Sequence, residues 1–216
     1  MTTAFDLDGV LSRSDTMASM ILARLRVKPW LAVPVAVLAL AAALAPATGT
    51  IRPRCNRAIV HTALAGMGRS EYIHLAGTVA EVLAVRVGNT APKILAELRR
   101  THREGSGFVT TASEYHLAAA FLRLLGVDGI PIRASKFRFS ATGPRFVRHN
   151  VGDAKADARL RSSTQPQINT LYTDSASDLP LARLSAHTVL VGPSARSVRA
   201  FEQSGVPFAA EPWESS

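Results

Sequence analysis

Short apolar segments of strand length alternate with segments of helical periodicity along most of this chain. Thr3 to Leu7, Gly107 to Thr111 and Ile168 to Tyr172 are each rich in apolar, β-branched or aromatic residues. Long helical patterns separate these runs. Strands that are separated by helices predict a mostly parallel sheet, because parallel neighbours need a crossover connection. In such a sheet, ligands bind at the carboxyl ends of the strands.

The pattern therefore predicts an α/β fold whose core is a Rossmann-like, mostly parallel sheet. Between the first two strands, the pattern predicts helices through about residue 104. After the second strand it predicts a helix from Glu114 to Leu125 closed by Gly126, a strand from Ile130 to Ala134, and a hairpin or loop from Phe137 to Val147 broken at 142–144. The remaining predicted elements are a helix from Asp153 to Arg161, a short helix after Asp178, a strand from Thr188 to Val191 and a helix from Ala195.

One long helical interruption follows the first strand, from Ser14 to about Val87. We interpret residues 14–87 as an inserted, all-helical cap domain over the site. Residues 1–13 and 88–216 then form the core domain. Substrate choice is expected to lie in the cap.

The cap contains an entirely apolar stretch, Trp30 to Ala47, with Arg24, Arg26 and Lys28 before it and Arg52 and Arg54 after it. Its length reaches the roughly 18 residues of a transmembrane candidate. A single crossing would place the acids of the first strand and those of later strands on opposite sides of the bilayer. We therefore favour a buried cap helix, with peripheral membrane contact or packing against a partner chain as the alternatives.

Chemically capable side chains follow several of the predicted strands. Asp6 and Asp8 come at the end of the first strand, Thr111 ends the strand before Glu114, and Lys155 begins a helical segment. A further strand ends in Tyr172-Thr173-Asp174-Ser175-Ala176-Ser177-Asp178-Leu179-Pro180. Each also has a structural interpretation: an Asp-Gly turn, a helix N-cap or a solvated helix residue. Their combination in this order favours a common site.

These four segments resemble the motifs of the haloacid dehalogenase superfamily of phosphohydrolases, in its phosphoserine-phosphatase-like branch with a helical cap. The resemblance spans nearly the whole chain, and the segment around Asp174 and Asp178 is its most specific part. Val10 is a departure, since many members carry Thr there. The departure leaves the acids intact but removes a hydroxyl that could tune Asp8.

The resemblance implies a role for each of these residues. Asp6 would be the nucleophile that forms an aspartyl-phosphate, and Asp8 the general acid and base. Asp6, Asp174 and the backbone carbonyl of Asp8 would bind Mg²⁺, with Asp178 in support. Thr111 would donate to a phosphoryl oxygen, and Lys155 would neutralise both the phosphate and Asp6. Asp15 occupies the place where phosphoserine phosphatases carry a substrate-reading glutamate, although we favour the interpretation that it caps the next helix.

The composition and charge of the chain are compatible with a phosphohydrolase. The 216 residues carry 25 Lys and Arg against 16 Asp and Glu, a net charge of +9. The arginines are scattered, and no zinc cluster or aromatic–basic interleaving supports nucleic-acid binding. The one cysteine, Cys55, excludes an intrachain disulfide and suits a reducing compartment, so we predict a cytoplasmic protein. Association with a membrane stays open because of the apolar stretch in the cap. Three cap arginines could bind a second anionic group of the substrate or lie on a solvated face: Arg52, Arg54 and Arg57.

We therefore predict a Mg²⁺-dependent phosphoric monoester hydrolase acting on a small phosphorylated substrate. Two alternatives stay open. One is a phosphotransferase acting on a lipid-linked or small-metabolite phosphate. The other is a membrane-associated or partner-binding protein that uses the apolar cap and carries a vestigial site. The physiological substrate and the oligomeric state do not follow from the sequence.

Overall fold

The computed structural model describes residues 2–46, 50–156 and 168–214, and the strands in these ranges form one sheet. Its strands are Thr3–Phe5 (β1), Gly107–Glu114 (β2), Ile132–Ser140 (β3), Gly143–Arg148 (β4), Ile168–Thr173 (β5), Ser185–Val191 (β6) and Ala209–Glu211 (β7). They follow the order β4-β3-β2-β1-β5-β6-β7. Neighbours are parallel except β3 and β4, which form an antiparallel hairpin at one edge. The predicted α/β fold with a mostly parallel sheet is confirmed.

The α-helices with full bounds are Thr16–Val27 (α1), Ala32–Leu44 (α2), Ile51–Ala63 (α3), Arg69–Ala84 (α4), Pro92–Arg103 (α5), Tyr115–Leu124 (α6), Leu179–Ala182 (α7) and Ala195–Ser204 (α8). Five of them, α1 to α5, lie between β1 and β2 in the sequence. Local chemistry sets several ends: the Asp15 side chain accepts from Ala18 N at the start of α1, and Gly205 ends α8 with a φ of 68°.

The register of the three central strands brings their carboxyl ends together. Phe5 of β1 pairs with Val109 on one side and with Tyr172 on the other. The residues that follow these three positions therefore emerge at the same edge of the sheet. This is where the motif residues of the sequence lie.

Helices cover both faces of the sheet. Adjacent strand residues point to opposite faces. Phe5 accordingly belongs to a hydrophobic cluster with residues of α4 and α6, whereas Ala4 belongs to a second cluster with residues of α7 and α8. The first cluster also contains Met20, Val60 and Tyr72 from the region between β1 and β2. Residues 14–87 thus share a continuous core with the sheet, and their division into a separate cap domain stays a prediction.

Most predicted elements are present, with shifted bounds. Strand β2 runs three residues further than predicted, and its pairing with β3 changes register between Thr110 and Glu114. The predicted hairpin is formed by β3 and β4. The edge strand β7 was not predicted, because three residues carry no usable periodicity. Residues 153–156 are helical, and the rest of the helix predicted to Arg161 lies outside the described residues.

The prediction of a buried apolar helix in the cap is wrong. Of the thirteen residues of α2, ten are exposed, and only Val35 and Ala42 are buried. These two lie seven positions apart on one stripe, which faces the neighbouring α3. The helix therefore has a single packing partner of any extent, and its remaining apolar faces meet solvent. In the described part of the chain, no helix combines the length and the apolar character that crossing a membrane requires.

Candidate active site

Asp6 lies immediately after β1, at the carboxyl edge of the sheet, and its side chain is almost fully buried. One carboxylate oxygen, Oδ1, accepts from the backbone N–H of Leu7 at 2.8 Å. The other, Oδ2, accepts from Nζ of Lys155 at 2.8 Å. Because both oxygens are held, the carboxylate has a fixed orientation at the end of the central strand.

Lys155 joins Asp6 to a second buried acid. Its Nζ donates to Oδ2 of Asp178 at 2.9 Å, and Thr173 Oγ1 donates to the same oxygen at 2.9 Å. Asp178 and Lys155 are both buried. Two carboxylates thus compensate one ammonium group, which a buried charge requires.

A hydrogen-bond network holds the turn that precedes Lys155. Asn150 is fully buried, and its Nδ2 donates to the backbone oxygens of Thr111 and Arg133 at 3.1 and 2.8 Å. The backbone N–H of Asn150 donates to Oγ of Ser135 at 3.0 Å, and that hydroxyl donates to the Ala112 carbonyl. The network ties the turn to β2 and β3, and so fixes where the helical residues 153–156 begin.

Asp8 is held by different groups from those that hold Asp6. Its Oδ1 accepts from the backbone N–H of Thr16, and its Oδ2 accepts from the hydroxyl of Ser113, each at 2.8 Å. The hydroxyls of Thr16 and Ser113 are themselves 2.7 Å apart. Val10 is buried and supplies no hydroxyl. Ser113 therefore provides the hydroxyl partner whose presence the Val10 departure had put in doubt.

Sequence reasoning did not identify Ser113 and Thr16 as partners of Asp8. One signal for Ser113 was available: Thr111 and Ser113 are two residues apart, and alternate residues of a strand share a face. Thr16 gave no comparable signal, since its contact depends on how α1 returns over the end of β2.

Asp174 follows β5 and lies against the turn at Gly9. A Cβ atom placed on Gly9 would come within 2.3 Å of the Asp174 carboxyl carbon. Gly9 also has a φ of +79°, which side chains other than glycine rarely adopt. Gly9 thus allows Asp174 to come close to the turn that follows Asp6 and Asp8.

The electrostatics of the four acids differ. Burial, together with the Asp178 charge, raises the pKa of Asp6 well above its ordinary value although Lys155 opposes the rise. Burial and Asp15 raise the pKa of Asp8 to about 6, and burial and Asp178 raise that of Asp174 to about 6. Burial also opposes ionisation of Asp178, but Lys155 and its hydrogen-bond partners hold its pKa below the ordinary value.

The donor set fits a hard divalent cation. Such an ion could take carboxylate oxygens from Asp6 and Asp174, and the family resemblance adds the backbone carbonyl of Asp8 as a third oxygen donor. Within the described ranges, no three Asp, Glu, His or Cys side chains form a metal cluster. Mg²⁺ does not need one, because it keeps several waters and uses one or two carboxylates. Lys155 contacts Asp6 and Asp178. Burial is the main cause of the raised pKa values of Asp6, Asp8 and Asp174, and a cation bound beside these carboxylates would favour their ionised forms.

Two further predicted residues, Thr111 and Asp15, make local hydrogen bonds. Thr111 is fully buried in β2, and its hydroxyl oxygen accepts from the backbone N–H of Ser113 at 3.0 Å. A hydroxyl that accepts one bond still has a hydrogen to donate. Asp15 caps α1 through the backbone N–H of Ala18, so the capping interpretation is confirmed for it.

A cleft of about 530 Å³ opens beside Asp8 between α1, α3 and the end of the sheet. Two arginines of α3, Arg52 and Arg57, line it together with His149 and Asp15. Burial and the adjacent Arg57 lower the pKa of His149 to about 4, so this imidazole is neutral at pH 7. Apolar side chains form much of the remaining wall: Met17, Ile21, Ile59, Val60, Phe146 and Val151.

The sequence model of the haloacid dehalogenase-like hydrolases matches residues 3–183, which include all of the acids described above. The chain belongs to this family. The predicted family is thereby confirmed. A comparison of the sequence with curated proteins gives no significant match.

Solved structures of other haloacid dehalogenase-like and related proteins share the fold at low sequence identity. A phosphoserine phosphatase in its apo form has a TM-score of 0.64 and 12% identity, over 99% of this chain and 94% of that chain. A probable phosphoserine phosphatase from Vibrio cholerae has a TM-score of 0.64 and 13% identity, over 99% of this chain and 62% of that chain. A protein of unknown function from Bordetella pertussis has a TM-score of 0.54 and 16% identity, over 96% and 97%. The fold agrees with the predicted phosphoserine-phosphatase-like branch.

Proposed function

We propose that this haloacid dehalogenase-like hydrolase is a Mg²⁺-dependent phosphatase that hydrolyses a phosphate monoester through a phosphorylated Asp6. The observation that carries the proposal is the contact of Asp6 with Lys155 at the carboxyl end of the central strand, 2.8 Å from Oδ2 to Nζ. Asp174 lies against the turn at Gly9, three residues after Asp6. A dehalogenase is disfavoured, because Asp8 is present and is held next to the cleft.

The first half of the reaction transfers the phosphoryl group to the enzyme. An oxygen of Asp6 attacks phosphorus, and the ester P–O bond breaks. Asp8 gives its proton to the departing alkoxide, so the leaving group is released as an alcohol. Lys155 and the Thr111 hydroxyl stabilise the phosphoryl oxygens.

The second half returns Asp6 to its carboxylate. Asp8, now ionised, takes a proton from a water molecule as that water attacks phosphorus, and inorganic phosphate leaves. A carboxyl pKa of about 6 for Asp8 suits both roles, because the group gains and loses its proton near neutral pH. A bound Mg²⁺ would neutralise charge between the phosphate dianion and Asp6. Asp6, Asp174 and the carbonyl of Asp8 would hold it.

Release of inorganic phosphate from an aryl phosphate tests the proposed function. Activity with Mg²⁺ that disappears in EDTA and returns when Mg²⁺ is restored is the expected result. A panel of phosphorylated metabolites, with phosphoserine among them, then defines the substrate. Equal release in EDTA would contradict the proposal.

Arginines in the cleft lead to a prediction about the substrate. Arg57 lines the cleft, so we expect it to bind a second anionic group of the natural substrate. Arg57→Gln should raise KM about three- to tenfold, with kcat nearly unchanged, since the contact is lost equally from substrate and transition state. Arg54 is exposed on the same helix and lies outside the cleft lining, which makes Arg54→Gln the matched control. The same KM for both variants would show that Arg57 does not bind substrate.

Metal binding should depend on pH in a defined direction. The pKa of Asp174 is about 6 in the folded chain, against about 3.9 for a free Asp side chain. The folded state binds this proton more tightly, so the metal-free protein loses stability as pH rises from about 4 through 6. Mg²⁺ offsets that loss. At a Mg²⁺ concentration 100 times the Kd that holds at pH 7.5, Mg²⁺ should add about 2.7 kcal/mol there, a Tm rise of about 5–10 °C. The same concentration should add much less near pH 5, where Asp174 is protonated.

Differential scanning fluorimetry with and without Mg²⁺ measures this difference. Asp174→Asn should raise the Tm of the metal-free protein near neutral pH and abolish most of the Mg²⁺ effect. A Mg²⁺ shift of the same size at both pH values, or an undiminished shift in the variant, would contradict the assignment of Asp174 as a ligand.

A further inference from the structure

Exposed apolar side chains cover α2 and the turn that leads into it. Trp30 is 64% exposed and Leu44 is 78% exposed. The sequence has no polar side chain from 30 to 46. We name five exposed side chains the α2 surface: Trp30, Val33, Val37, Leu40 and Leu44. A contiguous exposed apolar surface of this kind marks an interaction site.

Positive charge flanks the α2 surface on both sides in the sequence. There is no Asp or Glu from residue 16 to residue 70. The same segment contains seven basic residues: Arg24, Arg26, Lys28, Arg52, Arg54, Arg57 and Arg69. Arg24 is buried against Glu71, whereas Arg26 and Arg54 are exposed. The Lys28 Nζ lies 5.0 Å from the centre of the Trp30 ring.

The charge selects among the partners that could cover this surface. A two-fold contact with a second copy of the chain would place the α2 surface opposite itself. The cations of both copies would then lie close together, and residues 16–70 would provide no carboxylate to pair with them. An anionic lipid bilayer offers phosphate groups to the cations and hydrocarbon to the apolar side chains. Trp and Lys side chains are suited to the boundary between the two.

The length and connections of α2 define how deeply it can insert. Thirteen helical residues span about 20 Å, which is shorter than the roughly 30 Å hydrocarbon layer of a bilayer. The helices on either side of α2 in sequence, α1 and α3, contact each other. The chain therefore returns through α3 to the part of the molecule from which it entered α2, and a helix too short to span the bilayer can enter only one leaflet.

We propose that the α2 surface binds an anionic phospholipid bilayer. Its apolar side chains enter the boundary between head groups and hydrocarbon, and Arg26, Lys28 and Arg54 contact the lipid phosphates. Neither the catalytic carboxylates nor a bound metal takes part in this contact. Binding can therefore be measured separately from catalysis.

Flotation with lipid vesicles tests the proposal. The wild-type protein should float with vesicles made of equal amounts of phosphatidylcholine and phosphatidylglycerol, and much less with phosphatidylcholine alone. The double variant Val37→Glu with Leu40→Glu should reduce the floated fraction about tenfold or more, because two carboxylates oppose both hydrocarbon and lipid charge. Val82→Glu is the matched control, since Val82 lies on α4 and is 61% exposed against 63% for Val37.

Several outcomes would overturn the proposal. Wild-type protein that stays with the soluble fraction would do so, as would equal flotation of the wild type and the double variant, or equal flotation with neutral and anionic vesicles. Light scattering tests whether a second copy of the chain covers the α2 surface instead. A wild-type protein that is dimeric and does not float, together with a double variant that is monomeric, would assign the α2 surface to a second copy. Circular dichroism of each variant checks that the fold is retained.

Discussion

Replacement of Asp6 by Asn is expected to lower Mg²⁺-dependent phosphate release by a factor on the order of 10⁴ or more. An amide oxygen cannot act as the anionic nucleophile at phosphorus. The fold should persist, because the amide keeps an oxygen that can accept from the Leu7 N–H, and Lys155 keeps its contact with Asp178. Release of phosphate from an aryl ester, corrected for a mock-purified sample, measures the loss.

The exposed Asp128 supplies the control for this substitution. Asp128→Asn makes the same chemical change at a site remote from the acids in sequence, and should leave activity within about twofold, as surface changes do. An Asp6→Asn protein with a substantial fraction of wild-type turnover would exclude Asp6 as the nucleophile.

Replacement of Lys155 by Met should have the second largest effect, and it should act on both stability and activity. The substitution leaves the buried carboxylates of Asp6 and Asp178 without their counter-charge. Loss of one partner of a buried ion pair costs about 3–5 kcal/mol of unfolding free energy. Activity should fall on the order of 10³-fold, since charge stabilisation of the phosphoryl group is lost.

The pH dependence separates this mechanism from a general packing defect. Without Lys155, the pKa of Asp6 should rise further above that of the unfolded chain, and the pKa of Asp178, which Lys155 holds below its ordinary value, should rise as well. The variant should therefore lose stability as pH increases from about 4 to 7, and regain much of it in acid. Urea unfolding at several pH values measures the effect. Lys136→Met, at an exposed site on β3, is the control, and a loss of stability that does not change with pH would contradict the mechanism.

The sheet and the grouping of the acids were predictable because both depend on local sequence. Apolar runs predicted the central strands, and parallel pairing requires that Asp6 and Asp174 emerge at one edge. The actual contact between Asp6 and Lys155 joins residues 149 positions apart, so it came only from the family resemblance.

Contacts made by the cap were not predictable in the same way. Thr16 holds Asp8 only because α1 lies over the end of β2, and no periodicity encodes that placement. Ser113 lies on β2 itself, two residues after Thr111, and that spacing was the one available signal for its contact with Asp8. The exposure of α2 has a related cause. An apolar sequence does not distinguish a helix that packs on all sides from one that packs only through Val35 and Ala42. The capping contact of Asp15 accounts for its position at the start of α1. Its role as a substrate-reading residue stays a prediction.

Binding of beryllium fluoride most directly tests the claim that Asp6 accepts a phosphoryl group, because this phosphoryl mimic needs no known substrate. Fluorine NMR at neutral pH should detect one beryllium fluoride complex per chain when Mg²⁺ is present, and none in EDTA or in the Asp6→Asn variant. A complex that forms equally well in that variant, or no complex in the Mg²⁺-loaded wild type, would contradict the account.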